Sequence, residues 1–574
     1  MRRAGWIVLG AAVVLLPTVT ANTYYLYIVA SAGLLTIVTA GLNVLVGFSG
    51  QMSLGHAGFY AIGAYTAAIC TVKLGWNPWL AFLAAVLCAA LVGAGVAGAA
   101  LRVSGPYLAM VTIAFGIIVE GILVEWIPVT GGPGGIFRIP KPSLVWSYVL
   151  IMAVAALALW LTRNLRHSAW GRAFLAVRGS DVAAESLGLS AYYVRIVAFT
   201  VSAGFAGAGG ALFAFMNGYI SPDSFTLQTS ILFLLALLFG GEGTVAGPAV
   251  GSLVLTLLPE LLTSLTDYRL IIYGGLLMCS IYWLPAGVVG ACRSRQSDSS
   301  DQPPEPNRPE LESQPVRPEP ATDRLMEVEG LSITFGGVAA LSGVSLSLGR
   351  GIQAVIGPNG AGKTSLLNVL SGYYVAKAGH IRLDGESVTG RPPYAIARRG
   401  VARTFQTPQL FIDLTVLENV AVGVAGSRPG IILAAMLGLP MEVRRDCEIL
   451  QTSRVLLDRA GLGPWAHARA ESLPSGLRRR LEIVRALATA PRLLMLDEPA
   501  AGLSPTEIQE LDADLSRLRA TGPSVLLVEH HMDLVMAISD HITVLDYGRV
   551  IASGTPDAVR SDPAVIEAYL GASA

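Results

Sequence analysis

Long apolar runs dominate the first half of the 574-residue chain, and they predict helices that span a membrane. A hydrocarbon core of about 30 Å takes about 20 helical residues to cross. Runs of about this length recur throughout residues 1–292. We expect ten spans, at 5–21, 24–47, 57–72, 79–100, 106–127, 146–162, 196–216, 227–246, 248–264 and 269–289.

Positive charge gives an independent check on this count, because cytoplasmic loops of membrane proteins carry an excess of Lys and Arg. With ten spans, the loops that contain most of the arginines fall on one side. They contain Arg2, Arg3, Arg102, Arg163, Arg166, Arg172, Arg178, Arg195, Arg293 and Arg295. We therefore expect a multi-pass protein of the cell (inner) membrane, with its N-terminus and its C-terminal half in the cytoplasm.

Glycine and polar residues interrupt the apolar pattern in two ways. The glycine clusters at 93–98 and 204–210 predict close helix packing, since small residues let membrane helices approach. The stretch 47–58 instead breaks two apolar runs with polar residues, which a membrane tolerates only inside protein or beside a wet cavity. Within it, Gln51 and His56 either line a solute path or serve packing.

The distribution of charge divides the chain into two halves. Residues 1–292 hold only 20 of the 80 charged residues, and seven prolines fall within residues 293–323. We expect a transmembrane domain at 1–292, a disordered linker at 293–324 and a soluble domain at 325–574. The fold class is an all-α membrane domain followed by an α/β domain, which excludes a single soluble enzyme, a disordered protein and a wholly membrane-embedded channel.

The second half of the sequence contains the motif of a phosphate-binding loop. The pattern G-x-x-x-x-G-K-[ST] follows a strand-like run and precedes a helix, the context that this loop requires. Lys363 should reach the phosphates and the Thr364 hydroxyl should ligate Mg²⁺. The predicted nucleotide-binding residues are Gly357, Pro358, Asn359, Gly360, Ala361, Gly362, Lys363, Thr364 and Ser365.

Two adjacent carboxylates end a second apolar run, Leu493–Leu496. At this distance from a phosphate loop, Asp497 is expected to hold Mg²⁺ and Glu498 to polarise the attacking water.

With these motifs in place, residues 325–574 resemble the nucleotide-binding domain of an ABC transporter. The resemblance implies ATP as the nucleotide and adds three functional residues. Phe335 matches the aromatic that stacks on adenine, and Gln406 matches the Q-loop glutamine that senses Mg²⁺ and the membrane domain. His530 matches the switch histidine that contacts the γ-phosphate.

The signature of the family departs from its usual L-S-G-G-Q form, since the chain reads Leu-Pro-Ser-Gly-Leu at 473–477. In the family this loop completes the ATP site of an opposing subunit. Pro474 lacks a hydroxyl and an N–H group, so Ser475 and Gly476 remain as the residues for that role. We expect the site completed by this signature to hydrolyse ATP weakly.

Residues 30–290 resemble the M-type permease of the branched-chain amino acid importer family. The resemblance rests on 41–47, 50–59, 63–66, 257–261 and 268–269, and the ATP-binding half resembles the G-type subunit of the same system at 480–483, 497–503, 554–556 and 568–571. Two subunits that are usually separate are therefore joined in one chain. In importers of this class, the loop at about 163–195 docks on the ATPase, and Glu185 and Gly188 are the expected contacts.

The expected function is ATP-driven import of branched-chain, hydrophobic amino acids delivered by an extracytoplasmic solute-binding protein. An H-type permease and an F-type ATPase, or a second copy of this chain, should complete the assembly; membrane lipid is a further partner and nucleic acid is not. A urea or short-chain amide importer is the nearest alternative. An ABC exporter half-transporter is less favoured, because its spans extend into the cytoplasm with charged residues whereas these loops are short.

Overall fold

A computed structural model describes residues 23–101, 105–261 and 324–570, with short helical pieces between 271 and 291. They form two compact units. The first contains the described parts of 1–174, 192–302 and 432–439, and the second those of 175–191, 303–431 and 440–574. The domain limits read from composition stay a prediction, because 175–191 and 432–439 each group with the opposite half of the sequence. The predicted linker lies outside the described residues.

Eight of the ten predicted spans coincide with helices, while 5–21 and most of 269–289 lie outside the described residues. Within the part of the chain that the structure describes, six runs are long and apolar enough to cross a membrane, namely Thr23–Phe48, Pro78–Ala100, Pro106–Glu125, Leu144–His167, Ala191–Asn217 and Pro222–Gly240. The helices from Thr23 to Leu261 are α1 Thr23–Leu42, α2 His56–Val72, α3 Pro78–Ala100, α4 Pro106–Glu125, α5 Ile127–Thr130, α6 Leu144–His167, α7 Ala169–Gly179, α8 Asp181–Ser186, α9 Ala191–Asn217, α10 Leu227–Gly240 and α11 Gly247–Leu261.

Small residues bring these helices together, as the glycine pattern predicted. A Cβ atom at Gly210 of α9 would stand 2.0 Å from the carbonyl oxygen of Tyr60 in α2, and one at Gly93 would stand 2.4 Å from the Cβ of Ala203. Gly95 is different, since a Cβ there would meet nothing within 4 Å. The packing prediction therefore holds for Gly207, Gly209 and Gly210 in the later cluster and for Gly93 in the earlier one.

Two breaks in the helices are joined by one buried side chain. After α1 a π-helical turn, Asn43–Phe48, leads into the irregular stretch before α2. The amide of Asn43 donates to the carbonyl of Thr244 and accepts from the N–H of Gly243, both at 2.8 Å, in the second break between α10 and α11. Most of the irregular stretch is buried, as its polar sequence predicted, although Gly50 and Met52 are exposed.

The second unit contains two sheets. A four-stranded sheet has the order β2-β1-β4-β5, and a six-stranded, mainly parallel sheet has the order β10-β9-β3-β8-β7-β6. The strands are β1 Arg324–Phe335, β2 Val338–Gly349, β3 Ile352–Ile356, β4 Ala378–Leu383, β5 Glu386–Ser387, β6 Val401–Arg403, β7 Leu493–Asp497, β8 Ser524–Val528, β9 His541–Asp546 and β10 Arg549–Gly554.

The six-stranded sheet is packed on both faces, so its central strands β3, β7 and β8 are mainly apolar. Alternate residues face opposite cores: Leu493 and Met495 pack in one cluster, and Leu494 and Leu496 in the other. The helices are α12 Lys363–Leu370, α13 Pro393–Ala397, α14 Val416–Ala425, α15 Ile432–Met436, α16 Pro440–Arg459, α17 Ser475–Leu487, α18 Pro505–Thr521, α19 Met532–Ile538, α20 Pro556–Arg560 and α21 Pro563–Leu570. Of these, α15 belongs to the first unit.

Substituting Gly210→Ala should destabilise the helical unit, because the added Cβ must displace backbone rather than a flexible side chain. Overpacking of this kind costs about 1–3 kcal/mol. The measurement is the thermal unfolding midpoint of the full chain in detergent. Gly204→Ala, on the same helix, is the matched control, since its Cβ would meet its nearest neighbour at 3.7 Å. Equal midpoints for the two variants would contradict the packing assignment.

Candidate ATP-hydrolysis site

The predicted site residues converge at the carboxyl ends of parallel strands. The phosphate loop follows β3, Gln406 follows β6, Glu498 follows β7 and His530 follows β8. These strands are adjacent in the sheet, so the loops that leave them share one edge. Open parallel sheets bind ligands at this edge.

The phosphate loop has the backbone that its glycines predict. Gly357, Gly360 and Gly362 have φ values of +152°, +84° and +100°, and a Cβ at Gly362 would stand 2.5 Å from the carbonyl oxygen of Ala340. The Lys363 Nζ donates to the carbonyls of Gly357 at 2.7 Å and Pro358 at 3.0 Å. Burial lowers the pKa of Lys363, although the nearby carboxylates of Glu498 and Asp497 act in the opposite direction. The ammonium group is thereby fixed inside its own loop.

The remaining predicted nucleotide contacts flank this loop. Thr364 and Ser365 lie in the first turn of α12, and Thr364 is exposed. Phe335 ends β1 with 43% of its surface exposed, and its ring meets that of Tyr374 edge to face at 5.0 Å. Tyr374 had no sequence signal of its own, because only the fold brings it beside Phe335. The adenine-stacking role of Phe335 stays a prediction.

The carboxylate of Asp497 is buried and paired with a cation that the motifs did not identify. Arg403, the last residue of β6, donates to Asp497 Oδ2 at 3.2 Å. The same guanidinium donates to Asn368 and Ser371, both at 2.7 Å. Burial raises the pKa of Asp497, and Arg403 opposes that rise. Arg403 therefore offsets part of the effect of burial on this carboxylate.

The three predicted catalytic residues meet at Glu498. Gln406 Nε2 donates to Glu498 Oε2 at 2.8 Å, and His530 Nδ1 lies 3.9 Å from the same oxygen. Glu498 has a φ of +45°, and its N–H donates to the carbonyl of Val528 at 2.8 Å. A positive φ is uncommon for a residue with a side chain, and such strain concentrates at functional sites.

Arg479 joins the loops that contribute these residues. It belongs to α17, is 3% exposed, and forms an ion pair with Glu482 at 2.9 Å. Its guanidinium donates to the backbone carbonyls of Phe405, Gln406, Asp497, Glu498 and Pro499. Glu482 in turn accepts from the N–H groups of Phe405 and Gln409, each at 3.2 Å. One buried ion pair therefore fixes both the Gln406 loop and the end of β7.

Glu529 also fixes backbone groups near Glu498. Its carboxylate is fully buried and accepts from the N–H of Ala500 at 2.7 Å, His530 at 2.8 Å and His531 at 3.2 Å. Glu529 directly precedes the switch histidine in the sequence, but no motif predicted a role for it. The contacts tie the backbone of that histidine to the segment after Glu498.

The altered signature lies at the start of α17. Pro474 is the residue before the helix, Ser475 is its first residue, and a Cβ at Gly476 would stand 2.0 Å from Glu507 Oε1. These residues lie on the helix that carries Arg479. Their action on the ATP site of another subunit stays a prediction.

Known proteins resemble both halves of the chain. The family described as "Branched-chain amino acid transport system / permease component" matches residues 24–281. "ABC transporter" matches residues 341–501, and "Branched-chain amino acid ATP-binding cassette transporter" matches residues 549–574.

Two relatives cover the halves separately. The high-affinity branched-chain amino acid transport ATP-binding protein BraF of Pseudomonas aeruginosa is 45% identical over 249 residues, which are 43% of this chain and 98% of that protein. The permease protein LivM of the corresponding Escherichia coli system is 35% identical over 288 residues, 45% of this chain and 68% of that protein. The chain belongs to the branched-chain amino acid ABC transporter family. It joins regions that correspond to two separate relatives.

A solved nucleotide-free ATP-binding cassette from an ABC transporter is 31% identical, covering 43% of this chain and 99% of that structure, with a TM-score of 0.38. Family membership makes the first half of this transporter an integral membrane permease and the second half an ATP-hydrolysing cassette coupled to transport.

In the permease part, the two polar residues singled out from the sequence have different surroundings. His56 is fully buried and lies between the hydroxyls of Ser53 at 2.9 Å and Ser202 at 2.7 Å, which is a packing arrangement. Gln51 lines a cavity of about 470 Å³ together with Met52 and Arg195. A role of Gln51 in a solute path stays a prediction.

Residues 175–191 of the transporter group with the cassette and contact it at several points. Arg398 Nε donates to the carbonyl of Gly188 at 3.0 Å, and the Tyr373 hydroxyl donates to that of Val182 at 2.6 Å. The Ser180 hydroxyl donates to Gln409 Oε1 at 3.2 Å. Burial raises the pKa of Tyr373, and the Glu185 carboxylate adds to the rise. Both predicted coupling residues thus lie among cassette side chains.

Replacing Glu529 with Gln should lower the turnover number for ATP and leave ATP affinity unchanged. The amide nitrogen cannot accept the backbone N–H bonds that the carboxylate accepts. Hydrogen bonds to a charged group contribute about 1.5–3 kcal/mol, which corresponds to a loss of about 10- to 150-fold. Steady-state hydrolysis and nucleotide titration of the full chain measure the two quantities.

The control for this variant is Glu471→Gln, since Glu471 is an exposed carboxylate of the same unit. An unchanged turnover number in Glu529→Gln would contradict the positioning role. An equal loss in both variants would show that the effect is not specific to the buried contacts.

Proposed function

We propose that this chain is the fused permease and ATP-binding subunit of an importer for branched-chain, hydrophobic amino acids. The observation that carries the proposal is the grouping of residues 175–191 with the cassette. These residues derive from the permease half of the sequence, and they belong to the same compact unit as Glu498 and its partner Gln406. The named relatives BraF and LivM, both of branched-chain amino acid transport, support the choice of solute.

In the proposed mechanism, each residue at the sheet edge has one task. Lys363 and the loop N–H groups pair with the phosphates of ATP, and Phe335 stacks on adenine. Glu498 orients and polarises the attacking water, Gln406 holds that carboxylate, and His530 contacts the γ-phosphate. The positive φ at Glu498 and the Gln406 contact support this assignment.

The oxygen donors of the site fit Mg²⁺. The Thr364 hydroxyl, the Asp497 carboxylate and the Gln406 amide oxygen are the hard ligands that this ion prefers. Asp497 is buried, and the neighbouring Arg403 favours its charged form. When bound, Mg²⁺ supplies charge neutralisation on the phosphates.

Coupling to transport is proposed to pass through residues 175–191. Gly188 has a φ of +86°, and Arg398 binds its carbonyl. Ser180 contacts Gln409, which lies three residues after Gln406. A displacement of the Gln406 loop on ATP binding is therefore transmitted to a segment continuous with α9, and Glu185 and Gly188 lie at this junction.

The complete transporter is proposed to need further subunits. A second permease and a second ATPase, or another copy of this chain, supply the opposing half, and an extracytoplasmic solute-binding protein delivers the amino acid. The arginine-rich loops support a cytoplasmic location for the cassette and the N-terminus.

Uptake of labelled leucine, isoleucine and valine, with urea in parallel, tests the proposal in cells that lack other importers. The intact chain with its neighbouring subunits should accumulate the branched-chain amino acids. Lys363→Ala should reduce uptake about 100-fold, the scale on which removal of one electrostatic contact to a transition state acts. Lys377→Ala, an exposed lysine of the same unit, is the matched control.

Uptake of urea alone would assign the chain to the urea and short-chain amide importers instead. ATP hydrolysis without uptake of any of the four solutes would contradict the proposed import function. Leucine uptake that persists in Lys363→Ala would show that transport does not depend on this ATP site.

A further inference from the structure

A short apolar segment interrupts the charged second half of the sequence. Residues 430–440 read Gly-Ile-Ile-Leu-Ala-Ala-Met-Leu-Gly-Leu-Pro and contain no charged residue. Residues 432–439 group with the membrane helices, although they lie between two cassette helices, α14 and α16, in the sequence. Neither the motifs nor the proposed mechanism gives this segment a role.

One side of the segment is anchored on a membrane helix. Asn164, in the last turn of α6, donates through Nδ2 to the carbonyl of Met436 at 2.9 Å. Ala434, Ala435 and Met436 are buried. The inward side of the segment is therefore packed and fixed against the end of α6.

The other side of the segment exposes three leucines. The exposed fractions of Leu433, Leu437 and Leu439 are 61%, 40% and 43%. Three exposed leucines within seven residues differ from the scattered apolar residues of an ordinary soluble surface. A short helix with a packed side and an exposed apolar side needs an apolar medium or a partner.

The position along α6 indicates which medium that is. Asn164 follows Trp160 by four residues, or about 6 Å of helix. Trp160 and Leu157 are 44% and 47% exposed on the permease surface, and the helix then ends with Arg163, Arg166 and His167. A tryptophan followed by basic residues is typical of the boundary between lipid chains and water.

We propose that residues 432–439 lie in the lipid bilayer boundary, with Leu433, Leu437 and Leu439 inserted among the lipid headgroups and upper acyl chains. The segment continues the lipid-facing surface of α6 at the depth of its basic end, which favours lipid over a protein partner. Interfacial helices use this combination of a packed or polar side and an apolar side. The proposal rests on the membrane location of the first unit and is independent of the transported solute.

Spin labels report the environment of these leucines directly. Single labels are attached to Leu433→Cys and Leu437→Cys in the full chain, in which all native cysteines are replaced, after reconstitution into phosphatidylethanolamine–phosphatidylglycerol vesicles. Val375→Cys, at a 68% exposed valine of the cassette, is the matched control. Each labelled protein is used only where ATP hydrolysis is retained, and Leu439→Cys replaces a label that abolishes it.

The ratio of collisions with oxygen to collisions with a water-soluble nickel chelate should be several-fold higher at 433 and 437 than at 375. Oxygen concentrates in lipid and the chelate stays in water, so this ratio measures depth. A ratio equal to that at 375 would place the segment in water and overturn the proposal. Protection from both reagents would also overturn it, by showing that another protein surface covers the leucines.

Discussion

The hydrolytic site depends on one buried ion pair between Arg479 and Glu482. Arg479 binds the carbonyls of the Gln406 loop and of the residues that follow β7, while Glu482 binds the N–H groups of Phe405 and Gln409. A planar guanidinium offers five N–H donors in a fixed geometry, whereas the ammonium of lysine offers three. Both partners are at least 97% buried, so every charged atom must be satisfied by such contacts. The ion pair therefore fixes Glu498 relative to Gln406.

The same contacts extend toward the permease part of the sequence. Ser180 donates to the side chain of Gln409, the backbone N–H of Gln409 donates to Glu482, and Glu482 pairs with Arg479. Arg479 then donates to the carbonyl of Glu498 at 2.6 Å. Four successive contacts thus connect a residue of the loop between α6 and α9 with the residue proposed to activate water. A contiguous series of this kind can transmit a displacement only if its members change together.

Sequence reasoning identified the helical and α/β halves and the residues with a local motif, because a phosphate loop needs its own glycines and lysine at fixed spacing. Arg403, Arg479 and Glu529 were missed because their partners are not visible in local spacing. Arg403 binds side chains distant in sequence, while Arg479 and Glu529 bind mainly backbone groups, which carry no residue signature. Family resemblance predicted that residues 175–191 contact the cassette. No motif predicted that residues 432–439 group with the membrane helices.

The central claim is that Arg479 positions Glu498 through the backbone, and the turnover number of Arg479→Lys tests it most directly. Loss of two or more buried hydrogen bonds, each contributing about 1 kcal/mol, predicts at least a tenfold fall. ATP affinity should stay unchanged. Arg478→Lys, an exposed arginine on the same helix, is the control and should retain wild-type turnover. A wild-type turnover number in folded Arg479→Lys would contradict the account.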